Sequence, residues 1–268
     1  AVADTIAKVL LDYYPPLQVV FLRQLGLFFG VNLIMLYNLK WVGKTHNFSK
    51  QLMRGLTQAG SAVIFLVGLR TIPIADATSI AFVAPLFVIV FSYFILKEPI
   101  GFRRWLAVII GFSGTLIIIR PGFEIINLGH LFIIIAALLF ALRQILSRLL
   151  ASTDDPITTA FFTAYTSVFI FVVFQPWVWT PITDKNHIFL FLVYAAFAGT
   201  AEFLVIKSLQ IAHAVVVSPL QYTLLIWVTI FGFMIWGILP DFWTFLGAGV
   251  IIATGLYSLH RERLRKSQ

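Results

Sequence analysis

Of 268 residues, 60% are hydrophobic and 11% charged, and the mean hydropathy is +0.96, which leaves too little polar surface to coat a water-soluble globule. The formal charge of +8 does not mark a nucleic-acid binder, because the basic residues sit in short clusters between apolar runs rather than in one patch. The absence of cysteine excludes disulfides and thiol or thiolate-metal chemistry.

The apolar runs follow one another at membrane-spanning length. The first, AVADTIAKVLLDYYPP, rises only about 20 Å as a helix against a hydrocarbon core of about 30 Å, so a truncated first helix is expected. After the YYPP turn, span two covers Leu17–Leu39 and carries Arg23; span three follows at Gln51–Leu69, span four at Pro73–Leu96 and span five at Phe102–Ile119. The linker RPGFEIINLG leads into span six at Leu128–Leu150, and STDDP ends it and opens span seven at Ile157–Val178, with Asp154 and Asp155 reading as helix caps in a solvated loop rather than as metal ligands. Spans eight to ten lie at Ile188–Leu209, Val215–Ile238 and Phe242–Leu259, before the basic tail HRERLRKSQ.

Charge orients the spans. Lys40, Lys44, Lys50 and Arg54 fall between spans two and three, Lys97, Arg103 and Arg104 between four and five, and Arg148 between six and seven. Lys207 ends span eight, and Arg261, Arg263, Arg265 and Lys266 lie in the tail. The opposite loops hold Arg70, Arg120 and Lys185 alone. The positive-inside rule then places both termini in the cytoplasm and the protein in the cytoplasmic (inner) membrane.

The second half echoes the first in order and spacing. Asp4 aligns with Arg143, Thr5 with Gln144, Arg70 with Lys207, Asp76 with His213, Pro99 with Pro240 and Gly114 with Gly255. Each copy has five spans, so the second enters the membrane the other way up, and basic KEPIGFRR in one copy corresponds to cation-free ILPDFW in the other. The predicted fold is therefore an all-α membrane protein of ten transmembrane helices, arranged as two inverted five-helix repeats, 1–122 and 123–268, around a central cavity.

The stretch LRTIPIADATSIAFVAPLFVIVFSYFILKEPIGFRRWLAVIIGFSGTLIIIRPG, together with YPPLQVVFLRQL and the RGL at Arg54, resembles the EamA-type repeat of the drug/metabolite transporter superfamily, strongly in the first half of the chain and weakly in the second. The resemblance implies a cavity formed mainly by spans one, three, four, six, eight and nine, and a family whose members move amino acids, nucleoside-like metabolites, S-adenosylmethionine and nucleotide sugars. One departure is plain: Leu239 stands where the first copy has Glu98.

Ionisable side chains inside spans cost about 2.5 to 3.5 kcal/mol each on insertion scales, so each needs a partner or a wet cavity. Arg143 in span six and Glu202 in span eight fall at similar depth and are expected to pair, Arg143 receiving an anionic group of a substrate and Glu202 a cationic group or a proton. Asp4 and Lys8, with Asp12, have the spacing of helical ion pairs, and Arg23 can reach them; Glu202, Asp4, Lys8 and Arg23 are the candidates for coupling or gating. Gln58, Phe82, Gln144, Tyr194, Gln221 and Tyr222 complete the expected substrate site, Tyr194 and Glu202 sharing one helix face. The competing reading is that these polar groups pair off, snorkel or join helices. Gly111, Gly114, Gly247, Gly249 and Gly255 are expected to bring spans five and ten together.

A cavity acidic and basic at once suits a zwitterion, so the expected function is secondary transport of a small polar metabolite, an amino acid or an amino-acid-containing compound such as S-adenosylmethionine, with protons as the candidate coupling ion. No catalytic residue, metal or cofactor is expected, and the partners are the lipid bilayer and the small molecule, with the protein a monomer or homodimer. The alternative, a membrane-embedded enzyme on a lipid substrate, calls for clustered histidines and carboxylates, whereas His46, His130, His187, His213 and His260 are scattered over loops and ends.

Overall fold

The computed structural model describes residues 1–38, 43–97, 102–119, 127–151, 153–211 and 223–266, and all regular elements among them are helices. In chain order they are α1 (Val2–Leu10), α2 (Pro16–Asn38), α3 (Phe48–Thr71), α4 (Ile74–Ala81), α5 (Ala84–Phe94), α6 (Phe102–Ile119), α7 (Leu128–Leu150), α8 (Pro156–Val178), α9 (Lys185–Ile211), α10 (Thr223–Trp236) and α11 (Phe242–Lys266). Lys40, Glu98, Pro99, Arg120, the boundary at 122/123, His213, Gln221 and Tyr222 lie outside the described residues.

Local chemistry sets the helix ends. The Asn127 side chain accepts from the Gly129 backbone N–H at 2.8 Å and caps α7, and Pro156 occupies the first turn of α8, where its missing N–H costs nothing. Ile72, forced into an extended conformation by the following Pro73, ends α3. Six spans are long and apolar enough to cross a membrane, and Trp105–Ile119, Leu224–Trp236 and Phe242–Tyr257 are shorter apolar helices, which together with α1 fits ten. Their outward faces carry large apolar groups: Phe29 is 63% exposed, Leu36 73% and Trp177 77%, an arrangement that only lipid makes favourable.

Span four differs from its predicted form. It is two helices, α4 and α5, separated at Phe82 and Val83, because Pro85 supplies no N–H for the Ala81 carbonyl one turn back. The broken turn faces the interior of the bundle rather than lipid.

Helices approach most closely where side chains are smallest. A Cβ on Gly26 of α2 would land on the Ala195 carbonyl of α9, and one on Gly199 would meet the backbone of Gly26. Gly114 of α6 and Gly247 of α11 meet in the same way, as expected from sequence, but Gly249 faces open space and takes no part in that packing. α3 lies along α7, and α2 against both α8 and α9.

Two clasps join turns to helix starts. At one, Gln51 and Thr45 donate to the Asp154 carboxylate, each at 2.7 Å, and Asn47 donates to Thr153 at 3.0 Å. Asp154 is thus buried against α3 rather than solvated as a loop cap. At the other, Tyr14 bonds His187 Nδ1 at 2.9 Å and packs on Phe191, while Tyr13 lies against the His187 ring, 4.5 Å between centroids. Burial and then the Asp184 charge hold the Tyr14 hydroxyl above its ordinary range, so the phenol keeps its proton. A single offset in sequence carries Tyr13 and Tyr14 to Thr153 and Asp154, and Asn47 and Gln51 to His187 and Phe191. The same offset carries the Gly26–Ala195 approach to that of Thr166 and Gly55.

Replacing Gly26 by Val forces α2 and α9 apart, so the melting temperature in detergent should fall by more than about 5 °C relative to Gly30→Val, where the added side chain meets open space. Equal melting of the two variants would show that the crossing is not a packing constraint.

Candidate functional site

A cavity of about 540 Å³ opens among α1, α2, α3, α4, α5, α7, α9 and α10, a size ordinary for a small-molecule site. Every span that the resemblance implies contributes to the wall, and span two adds Val20 and Arg23. On α3 the lining residues Gln58, Ser61, Ala62, Phe65 and Leu66 recur at the helical period and form one stripe. On α7 Ala136, Ala137, Phe140 and Arg143 do the same. The α4–α5 break contributes Ala81, Phe82, Ala84 and Pro85 to the wall.

The charged group of the cavity is built from three helices. Arg143 Nη1 donates to Glu202 Oε1 at 2.6 Å and also to Gln58 Oε1, so α7, α9 and α3 meet at one guanidinium. The Arg143 guanidinium carbon lies over the Phe140 ring, 4.5 Å from its centroid. The contact that equal depth predicts between Arg143 and Glu202 is present.

Beneath them stands Arg54. Sequence places it among the loop cations before span three, but it lies inside α3, 2% exposed, one turn before Gln58 and outside the cavity wall. Its Nε donates to Ser147 Oγ at 2.7 Å, its Nη1 to Thr163 Oγ1, and its Nη2 lies 3.6 Å from Glu202 Oε1. One carboxylate therefore faces two guanidiniums. The signal available in sequence was the helical spacing of Arg54, Gln58 and Ser61, which puts all three on the α3 face that carries the cavity stripe.

The other predicted residues divide. Asp4, Arg23, Phe82 and Tyr194 line the cavity. Arg23 donates to Gln24 Oε1 at 3.2 Å. Lys8 does not line it: its ammonium donates to the Leu69 carbonyl and, at 2.9 Å, to that of Ile72, tying α1 to the end of α3. Gln144 is not part of the wall, and Ser61 is committed to the Ala136 carbonyl at 2.9 Å.

The EamA-like transporter family model matches residues 1–120 and 127–259. The chain is 26% identical over 269 residues to a protein of Rickettsia prowazekii named S-adenosylmethionine uptake transporter, covering 98% of this chain and 89% of that one. It is 24% identical over 230 residues to a riboflavin transporter of Rhizobium johnstonii, covering 83% and 74%. A solved crystal structure superimposes with a TM-score of 0.71 at 15% identity, over 98% of this chain and 96% of the other, and shares the fold.

Glu202→Leu strands two buried guanidiniums and should cost on the order of 3–5 kcal/mol, whereas Glu202→Gln keeps an acceptor and should cost less. Thermal unfolding of both variants in detergent checks this, and equal loss would mean that the carboxylate is not what holds the arginines.

Proposed function

The chain belongs to the EamA-like transporter family, and from that premise we propose that it is a secondary transporter for a small polar zwitterion, an amino acid or an amino-acid-containing metabolite such as S-adenosylmethionine, working by alternating access. The observation that carries this reading is the cavity itself, enclosed by apolar helices yet holding Arg143 with Glu202 and, elsewhere on its wall, Asp4 and Arg23. Charge inside a span is tolerated only where it is paired or faces water, and a cavity that concentrates both signs answers a ligand that carries both. In this reading Arg143 takes the anionic group, Asp4 the cationic one, and Phe82 and Trp227 supply faces for an apolar or planar part.

Alternating access is commonly carried by two half-structures related by a pseudo-two-fold axis, read here as 1–122 and 123–268 with inverted topology. The matched clasps and the matched close approaches, related throughout by one sequence offset, support that arrangement, as does the family model's match to each half. The helix break beside the cavity is the kind of interruption transporters place at a substrate site. Charge bias supports cytoplasmic termini in the inner membrane, and the relatives' names support transport rather than catalysis. Between the substrates named for these two relatives, the charged cavity favours S-adenosylmethionine over the uncharged ring system of riboflavin.

Reconstituted into proteoliposomes preloaded with unlabelled S-adenosylmethionine, the protein should accumulate labelled compound by counterflow. No counterflow with this or any zwitterion, beside a positive signal for an anion, would overturn the substrate class. Glu202→Gln should abolish uptake or its pH response at unchanged protein level, and normal pH-dependent uptake would remove Glu202 from the coupling role.

A further inference from the structure

Resting on that reading, we propose that Arg54 is a positioning residue that takes over Glu202 when Arg143 engages a ligand, and that the group Arg143 then receives is a carboxylate of the transported zwitterion. Arg54 reaches the cavity only through Glu202, since it lies outside the wall. Both arginines address the same oxygen, Glu202 Oε1, Arg143 at 2.6 Å and Arg54 at 3.6 Å.

The anchors of Arg54 fix that geometry. Ser147, which accepts from Arg54 Nε, is one turn beyond Arg143 on α7 and donates in turn to the Arg143 carbonyl at 2.8 Å. Thr163 on α8 accepts from Nη1 and itself donates to the Thr159 carbonyl at 2.7 Å. With Nε and Nη1 committed to two helices, Nη2 is left directed at Glu202. When an incoming anion takes Arg143, Glu202 needs only to close the 3.6 Å gap to a charge-assisted hydrogen bond of about 2.8 Å to remain paired. Without Arg54 the same displacement would leave a buried carboxylate with no cationic partner, and Arg143 would stay with Glu202.

The chemistry of Arg143 names the anion. With Glu202 taken by Arg54, the Arg143 guanidinium on the cavity wall is left to pair with an acceptor that the ligand carries. The Phe140 ring lies 4.5 Å from the Arg143 guanidinium carbon, and the fork of N–H donors on a guanidinium matches the two coplanar oxygens of a carboxylate.

The experiment measures equilibrium binding of two probes to the purified full chain: S-adenosylmethionine and its decarboxylated form, which lacks only the carboxylate. Wild type should prefer the first by about tenfold or more, Arg54→Gln should lose that preference by weakening the first probe alone, and Arg54→Gln with Glu202→Gln should regain it, because Arg143 is then released. Regain on a second substitution is a result that a purely structural role of Arg54 does not produce. Equal weakening of both probes, or no regain in the double variant, overturns the proposal. If Arg54→Gln does not accumulate, Glu202→Gln alone must bind S-adenosylmethionine at least as tightly as wild type, and weaker binding overturns it as well. A wild type that binds neither probe, or both equally, overturns the substrate reading on which this rests; a wild type that discriminates, with Arg54→Gln unchanged from it, overturns the role of Arg54 alone.

Discussion

A charge in hydrocarbon must be answered by another charge or by water, and this bundle answers two of its arginines with one carboxylate. That constraint draws α3, α7, α8 and α9 to a single point, since Arg54 and Gln58 come from the first, Arg143 and Ser147 from the second, Thr163 from the third and Glu202 from the fourth. Moving any one of these helices exposes a buried ion or breaks a hydrogen bond to it. The cavity above is therefore polar at a place that the helices themselves require, and apolar along most of its remaining wall.

Backbone supplies the rest of the site. Pro85 interrupts the fourth span where Phe82 and Ala81 reach the cavity, and Gly26 and Gly199 let α2 and α9 touch main chain to main chain. In lipid, helix association gains little from hydrophobicity, so such close approaches and buried hydrogen bonds carry more of the packing than they do in water. Lys8 extends the same economy of contacts to the opposite end of α3, whose last carbonyls have no helical donors of their own.

Much of this was legible in residues. Span lengths set the helices, membership of the family was visible in the stretch around APLF, and counting depth along two spans brought Arg143 to Glu202. Arg54 was not legible by charge, because a cation near the start of a span, next to Lys50, is read as a topology signal, and only its spacing to Gln58 and Ser61 separates it from one. Lys8 misled for a related reason: ion-pair spacing along α1 names Asp4 and Asp12 as partners, while backbone carbonyls at another helix's end, invisible to any charge count, accept its protons. The broken fourth span shows the limit of hydropathy, which registers how apolar a segment is but not whether its hydrogen-bond ladder is continuous.

The two clasps have the same framework and different fastenings. One is closed by a carboxylate, amides and hydroxyls, the other by two phenols and an imidazole. The first has a carboxylate's fixed affinity for donors; the second depends on aromatic contact and on which ring nitrogen of His187 holds a proton. Positions that correspond in sequence are thus joined by different chemistry. Two contacts at corresponding positions but fastened by different chemistry do not break at equal cost, and that difference is written into side chains that never touch the cavity.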